Sequence, residues 1–233
     1  MRLPRDDSPY TARVRFGRYT ARRLERARCN DLAEECARAT RALREAGRSV
    51  EDTEDAVQDA MASRDATGDA LTALVRVLRH TLAGRSLTAM KEAPYTRIFP
   101  EGTEYYTEAS QGELVTRHRQ LVHRLEQHLP EEDPVRVQYV PCVTGSIEEY
   151  AHTLTALEDA RIAQQEASAR LQEATVLWNQ TLVRAYGTLI ARLGKAEAER
   201  FFPRVHPSRP RRKGDEAQKP AGDAAKKPLR SVA

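Results

Sequence analysis

The chain has 233 residues, long enough for one medium domain or two small ones with a real core. Hydrophobic residues make up 40% and charged residues 31%, with only 4 Phe and 11 Gly, a mixture that favours helices over sheets. No apolar run approaches the roughly 18 residues needed to span a bilayer, and the opening Met1–Asp7 lacks the apolar centre of a signal peptide. Membrane insertion and secretion by that route are therefore not expected, and a cytoplasmic location is.

Charge is segregated along the chain. Residues 1–28 carry nine Arg against three acids, and residues 204–233 carry nine Lys or Arg against three acids. The overall charge of +4 then leaves the segment between them acidic. An acidic helical body between two basic ends is the most informative feature of the composition.

In chain order, residues 1–16 contain Pro4 and Pro9 and read as an irregular arm. From Gly17 the pattern becomes helical. Leu24, Leu32, Cys36, Ala39, Leu43 and Ala46 form an apolar stripe that continues in phase through Val50, Val57 and Ala60. Gly47 and the cap-like Ser49-Val50-Glu51-Asp52 argue for two helices here, but the preserved phase favours one continuous, kinked helix from Gly17. Gly68 reads as the next break. Leu71, Leu74, Val75, Leu78 and Leu82 then mark a strongly amphipathic helix ending near Gly84.

Pro94–Gly102 reads as a loop whose aromatic and apolar residues dock on the bundle. Leu114, Val115, Leu121, Val122, Leu125 and Leu129 mark a further helix, stopped by Pro130. Residues 130–145 hold three prolines around an alternating Val135–Val140, which reads as an extended connector rather than a lone strand.

Ser146 with Glu149 three residues later has the form of a capping box, and no Pro or Gly follows until Gly187. Residues 146–186 are thus expected to be mainly one helix. Ile147, Tyr150, Leu154 and Leu157, then Leu171, Thr175, Trp178, Leu182, Ala185 and Leu189, give a seam of roughly 3.5-residue period. Between these runs the same register reads Arg161, Gln164 and Ser168, while Ala160, Ala163 and Ala167 lie to one side. This alanine zone is expected to be the weakest-packed part of the helix and a candidate association surface. Trp178, the only tryptophan, is expected to anchor the core.

The predicted fold is all-α: an elongated antiparallel bundle of long, coiled-coil-like helices over residues 17–203, with a basic tail over 204–233 too poor in large apolar residues to fold. Leu74-Val75-Arg76 and Leu182-Val183-Arg184 each precede a Gly and then an Arg-aromatic-Pro ending, a faint internal echo between 17–102 and 110–203. The stretch from Arg184-Ala185-Tyr186-Gly187 to Phe201-Phe202-Pro203 resembles the ending of uncharacterised helical proteins of high-GC bacteria, including myxobacteria. The resemblance spans about a tenth of the chain and implies no activity.

Candidate chemistry is sparse. Glu149 and His152 have the Glu-x-x-His spacing of di-iron bundles, but no second copy occurs. His118, His123 and His128 are five apart, which turns successive rings about 140° from one another, and they read as surface or edge residues. Glu131-Glu132-Asp133 reads as a charged turn. Cys29, Cys36 and Cys142 have no metal-type spacing and read as small buried thiols. With no phosphate loop, nucleophile elbow or paired-cysteine motif, no cofactor or metal is expected. The expected role is a non-enzymatic helical scaffold working through self-association or a helical partner. The alternative is nucleic-acid binding through the basic ends, with Arg209, Arg211, Arg212, Lys213, Lys226 and Lys227 as contacts.

Overall fold

The structure, a computed structural model, describes residues 1–5 and 7–203. The tail at 204–233, with Arg209, Arg211, Arg212, Lys213, Lys226 and Lys227, lies outside the described residues. Among the described residues there are seven α-helices and one 3-10 turn, and no strand. They are α1 (Tyr10–Arg26), α2 (Asn30–Ala83), α3 (Tyr95–Ile98), α4 (Glu104–Thr107), α5 (Gln111–His128), α6 (Pro134–Leu193) and α7 (Lys195–Glu199).

Helices α2 and α6, of 54 and 60 residues, carry the fold. At 1.5 Å per residue they are rods of about 80 and 90 Å. They run antiparallel in a register fixed by cross-helix pairs along their length. Arg184 pairs with Glu35, Trp178 Nε1 donates to Thr40 Oγ1 at 3.1 Å, the Thr67 and Thr153 hydroxyls meet at 3.1 Å, and Thr81 meets Tyr139.

Each end of this pair is thickened by a shorter helix. At one end α1 lies on the start of α2, and Val14, Phe16 and Leu24 join Cys36, Leu43, Trp178, Leu182 and Leu189 in one core. Ala198 and Phe202 close it from beyond α6. At the other end α5 lies on the start of α6. There Leu121, Leu125 and Tyr139 pack with Val75, Leu78, Ile98, Phe99 and Tyr106. The expected docking of the 94–102 segment is what the structure shows, with Ile98 fully buried and Phe99 nearly so.

The middle is thin. Between Leu43 and Leu71 the only buried apolar residue of α2 is Val57, and it is matched on α6 by Leu157 and Ala167. Arg64 lies in the same seam, 7% exposed, and its guanidinium reaches out to Asp65 through two hydrogen bonds of 2.9 and 2.6 Å. The side chain is only 9% exposed, and pairing with the more exposed Asp65 offsets the cost of desolvating the guanidinium. α6 is nonetheless continuous through this zone.

Several sequence expectations are corrected by local chemistry. The arm at 1–16 is helical from Tyr10, because Pro9 stands at the N-cap, where its missing N–H costs nothing. The stripe from Leu24 to Leu32 is broken by a hairpin turn that has no Gly or Pro. Cys29 N donates to Leu24 O and Arg28 N to Glu25 O, a Schellman pattern with Arg28 at φ 59° where glycine is usual.

Gly47 and Gly68, by contrast, end nothing. A Cβ on Gly47 would collide with the Tyr10 ring, so this glycine is a contact point between α1 and α2. At Gly68 a Cβ would stand 3.3 Å from the Tyr150 ring, a tight contact rather than a collision. The capping box at Ser146 starts no helix either, and the 130–145 connector is the first part of α6. Asp133 caps it by accepting from Val135 N at 2.9 Å, and Pro134 occupies the first turn. Pro141 and Val137, whose carbonyl loses its helical donor, are both exposed, so water can satisfy that carbonyl.

Candidate interaction surfaces

The first surface is built by α1. Its sequence places Arg15, Arg18, Arg22 and Arg26 at helical spacing on the outer side, with Arg23 beside them, while Val14, Phe16, Gly17, Thr20 and Leu24 face the core. The hairpin turn at 27–29 then brings Arg41 and Arg44 of α2 alongside. Among the described residues none of Arg15, Arg18, Arg22, Arg23, Arg26, Arg41 and Arg44 forms an ion pair.

Between α1 and α2 this end holds a groove of about 520 Å³. Val14, Ala21, Ala33 and Ala37 supply its apolar lining, and Arg18, Arg22, Arg41 and Arg44 line it together with the acids Glu25 and Glu34, four cations against two acids. The middle of the rod has the opposite sign. Residues 51–69 hold seven acids against Arg64 alone, and residues 148–173 hold six acids against Arg161 and Arg170.

The second surface is the outer side of α6. Ile162, Ala169, Val176, Val183 and Ile190 recur every seven residues, and all five are exposed. The inner seam at Leu157, Gln164, Leu171, Trp178 and Ala185 is displaced from this row by five residues, about 140° around the helix. α6 is therefore apolar on two faces, of which one meets α2. Leu177 and Leu193 widen the outer row, at 54% and 48% exposed. At Gly187, within it, an added Cβ would meet nothing.

The alanine zone divides between these faces. Ala167 is buried against α2, Ala160 is half-buried and Ala163 is exposed. Arg161 and Ser168, read as part of the seam, are exposed, and the seam runs through Ala160, Gln164 and Ala167 instead. The three alanines thus do not form one association surface. Between Leu157 and Leu171 the seam steps by three, four, three and four residues rather than four, three, four and three, and both orders span the same two heptads.

Other candidates are placed as follows. Glu149 and His152 are both exposed on α6. Among the described residues no group of three His, Cys, Asp or Glu side chains is placed to hold a metal ion. His118 is fully buried, a correction to its reading as a surface residue, and stacks edge-on against Tyr106. Its Nδ1 lies 2.8 Å from Leu114 O, so Nδ1 carries the proton, and Nε2 has no hydrogen-bond partner among the described residues. Burial pushes its pKa below the usual value.

Only Cys36 of the three thiols is fully buried, and burial pushes its pKa up to about 12. Trp178 is the expected core anchor, with no exposed surface. Asp133, read as part of a charged turn, is held below the usual carboxylate range. Burial alone would raise it, but the hydrogen bonds from Arg85 and Val135 N prevail.

No family model, curated protein or solved structure matches the chain. No helix among the described residues is long and apolar enough to cross a membrane.

Proposed function

We propose that the protein is a non-enzymatic helical scaffold that pairs with a second copy of itself through the outer row of α6. The observation that carries this reading is the seven-residue recurrence of exposed Ile162, Ala169, Val176, Val183 and Ile190. Four of the five are β-branched, and one apolar side chain per heptad is the spacing at which a helix can follow a partner helix without drifting off it. Charge supports an antiparallel pairing about Val176. Residues 158–173 hold Glu158, Asp159, Glu166 and Glu173 against Arg161 and Arg170, whereas 184–200 hold Arg184, Arg192, Lys195 and Arg200 against Glu197 and Glu199. A two-fold axis then lays a net negative half on a net positive half.

The test is cross-linking. A Val176→Cys variant should oxidise to a disulfide-linked dimer, since a residue on the two-fold axis meets its own copy. Ile162→Cys should not cross-link to itself, but should do so to Ile190→Cys when the two are mixed. Equal cross-linking at all three positions would reject the antiparallel arrangement.

The second reading is nucleic-acid binding through the basic N- and C-terminal segments, favoured by Arg15, Arg18, Arg22, Arg23 and Arg26 on the exposed side of α1. The nine cationic side chains of 204–233, if all engaged on duplex DNA, would give a log–log salt slope near about −8. Truncation after Pro203 should then remove most of the affinity. If it does not, α1 is the contact.

A further inference from the structure

We propose that the groove between α1 and α2 is a docking site for an acidic amphipathic helix of a partner protein. The proposal concerns a different face from the α6 row and does not depend on self-association.

The floor and the rim make complementary demands on the occupant. Val14, Ala21, Ala33 and Ala37 present an apolar strip of small side chains. Such a strip lets a third helix settle close to the hairpin, toward the short end of the usual 8–10 Å spacing between packed helices. Arg18 and Arg22 come from α1 and Arg41 and Arg44 from α2, against one acid on each helix, Glu25 and Glu34, so both sides of the strip are net positive. An amphipathic helix with apolar residues on one face and Asp or Glu on both flanks satisfies both demands at once.

The dimensions agree. The groove follows α1 from Val14 to Glu25 and α2 from Asn30 to Arg44, which at the helical rise is about 16–21 Å, or three to four turns of a partner helix. A small anion would use one or two guanidiniums and leave the floor against water. A nucleic-acid backbone would take up the rim but gain nothing from the alanines and valine beneath it. The chain's own 204–233 segment carries nine cationic residues against three acids and would be repelled by the rim. The convergence of the four rim arginines on one groove is the second part of the argument. Arg48, Arg76, Arg119 and Arg192 also form no ion pair among the described residues, but they do not line a common groove, whereas Arg85, Arg117, Arg124 and Arg184 each have a carboxylate partner within 3 Å. An occupant supplying carboxylates would complete the groove in the same way.

The test uses the full chain and a fluorescent synthetic helix of about five turns, with Leu and Ala on one face and Glu on both flanks. The comparison probes are the same peptide with Lys flanks and a short DNA duplex, all followed by fluorescence anisotropy. The Glu-flanked peptide should bind at micromolar concentration and the Lys-flanked one at least about tenfold more weakly. The double variant Arg18→Glu/Arg41→Glu should reverse that preference. Ala37→Gln, which fills the floor without changing charge, should weaken the Glu-flanked peptide by about tenfold or more. Circular dichroism identifies any variant that has lost its fold, and Arg18→Glu alone, on an exposed position, then replaces the double variant. Val183→Glu, which disrupts the α6 row, should leave peptide affinity unchanged. Three results would overturn the proposal. One is equal binding of the two peptides. Another is DNA binding that Arg18→Glu/Arg41→Glu abolishes while Ala37→Gln leaves peptide binding intact, the signature of a polyanion surface. The third is peptide affinity that falls together with dimerisation in Val183→Glu, which would place the site between two copies.

Discussion

Replacing Gly17 with Ala probes the tightest surroundings of any glycine among the described residues. Gly17 lies where α1 crosses α2 and α6, and a Cβ there would overlap Thr40 Oγ1 and stand 2.8 Å from Trp178 Nε1. Those two atoms are partners in the buried hydrogen bond that ties α2 to α6, and Thr40 in turn donates to Cys36 O at 2.7 Å. Overpacking of this kind costs about 1–3 kcal/mol. Stranding the indole N–H adds a further ~1–3 kcal/mol. The better helix propensity of alanine returns about 1 kcal/mol, so the net loss is about 1–5 kcal/mol. In a chain of this size that corresponds to a fall in Tm of roughly 2–20 °C. Fluorescence of Trp178, the only tryptophan, follows unfolding from within the perturbed site. The matched control is Gly145→Ala, on the exposed side of α6, where an added Cβ meets nothing within 4 Å. It should raise stability by about 0.5–1 kcal/mol. If Gly17→Ala is as stable as the unmodified chain, or both variants shift in the same direction, the close approach of α1 to Trp178 is wrong.

Asp133→Ala removes both the N-cap of α6 and the partner of Arg85, and should cost about 1–2 kcal/mol in chemical denaturation. Since the folded-state pKa of Asp133 is depressed, its contribution is present above the unfolded carboxylate value and is lost as pH falls through the folded value; Asp133→Ala should flatten that acid limb. His118 also has a depressed folded-state pKa, so the unfolded chain takes up its proton first and stability falls as pH drops below about 6.5. His118→Leu should flatten the stability profile between about pH 7 and pH 5, and a profile unchanged by that substitution would assign the acid sensitivity elsewhere.

The long helices were legible in the sequence because α2 and α6 keep an apolar phase over many turns, and a phase of that length has no other simple explanation. The breaks were less legible. A Schellman turn closed by Arg28 carries none of the usual signals, since its two backbone hydrogen bonds do not depend on a glycine side chain being absent. Conversely, Gly47 and Gly68 look like breaks in one dimension and are contact points in three, because only the fold places Tyr10 and Tyr150 against them.

Proline misled in the same way. Pro134 and Pro141 suggested a connector, but one sits in the first turn of α6 and the other faces solvent. His118 has polar neighbours in sequence and apolar ones in space, so its burial had no local signal. The row from Ile162 to Ile190 was readable in principle, at a strict spacing of seven. It was overshadowed by the inner seam, because one helix was expected to have one apolar face. The groove between α1 and α2 had no sequence signal, since it exists only once the hairpin brings Arg41 and Arg44 beside Arg18 and Arg22.

The central claim, that α6 carries a second apolar face which a second copy covers, is tested most directly by sedimentation equilibrium of the full chain over a micromolar concentration range. The account predicts a mass approaching twice the 26.3 kDa of the chain, returning to 26.3 kDa in Val183→Glu with an unchanged helical circular dichroism spectrum. A mass of 26.3 kDa at every concentration for the unmodified chain would contradict it.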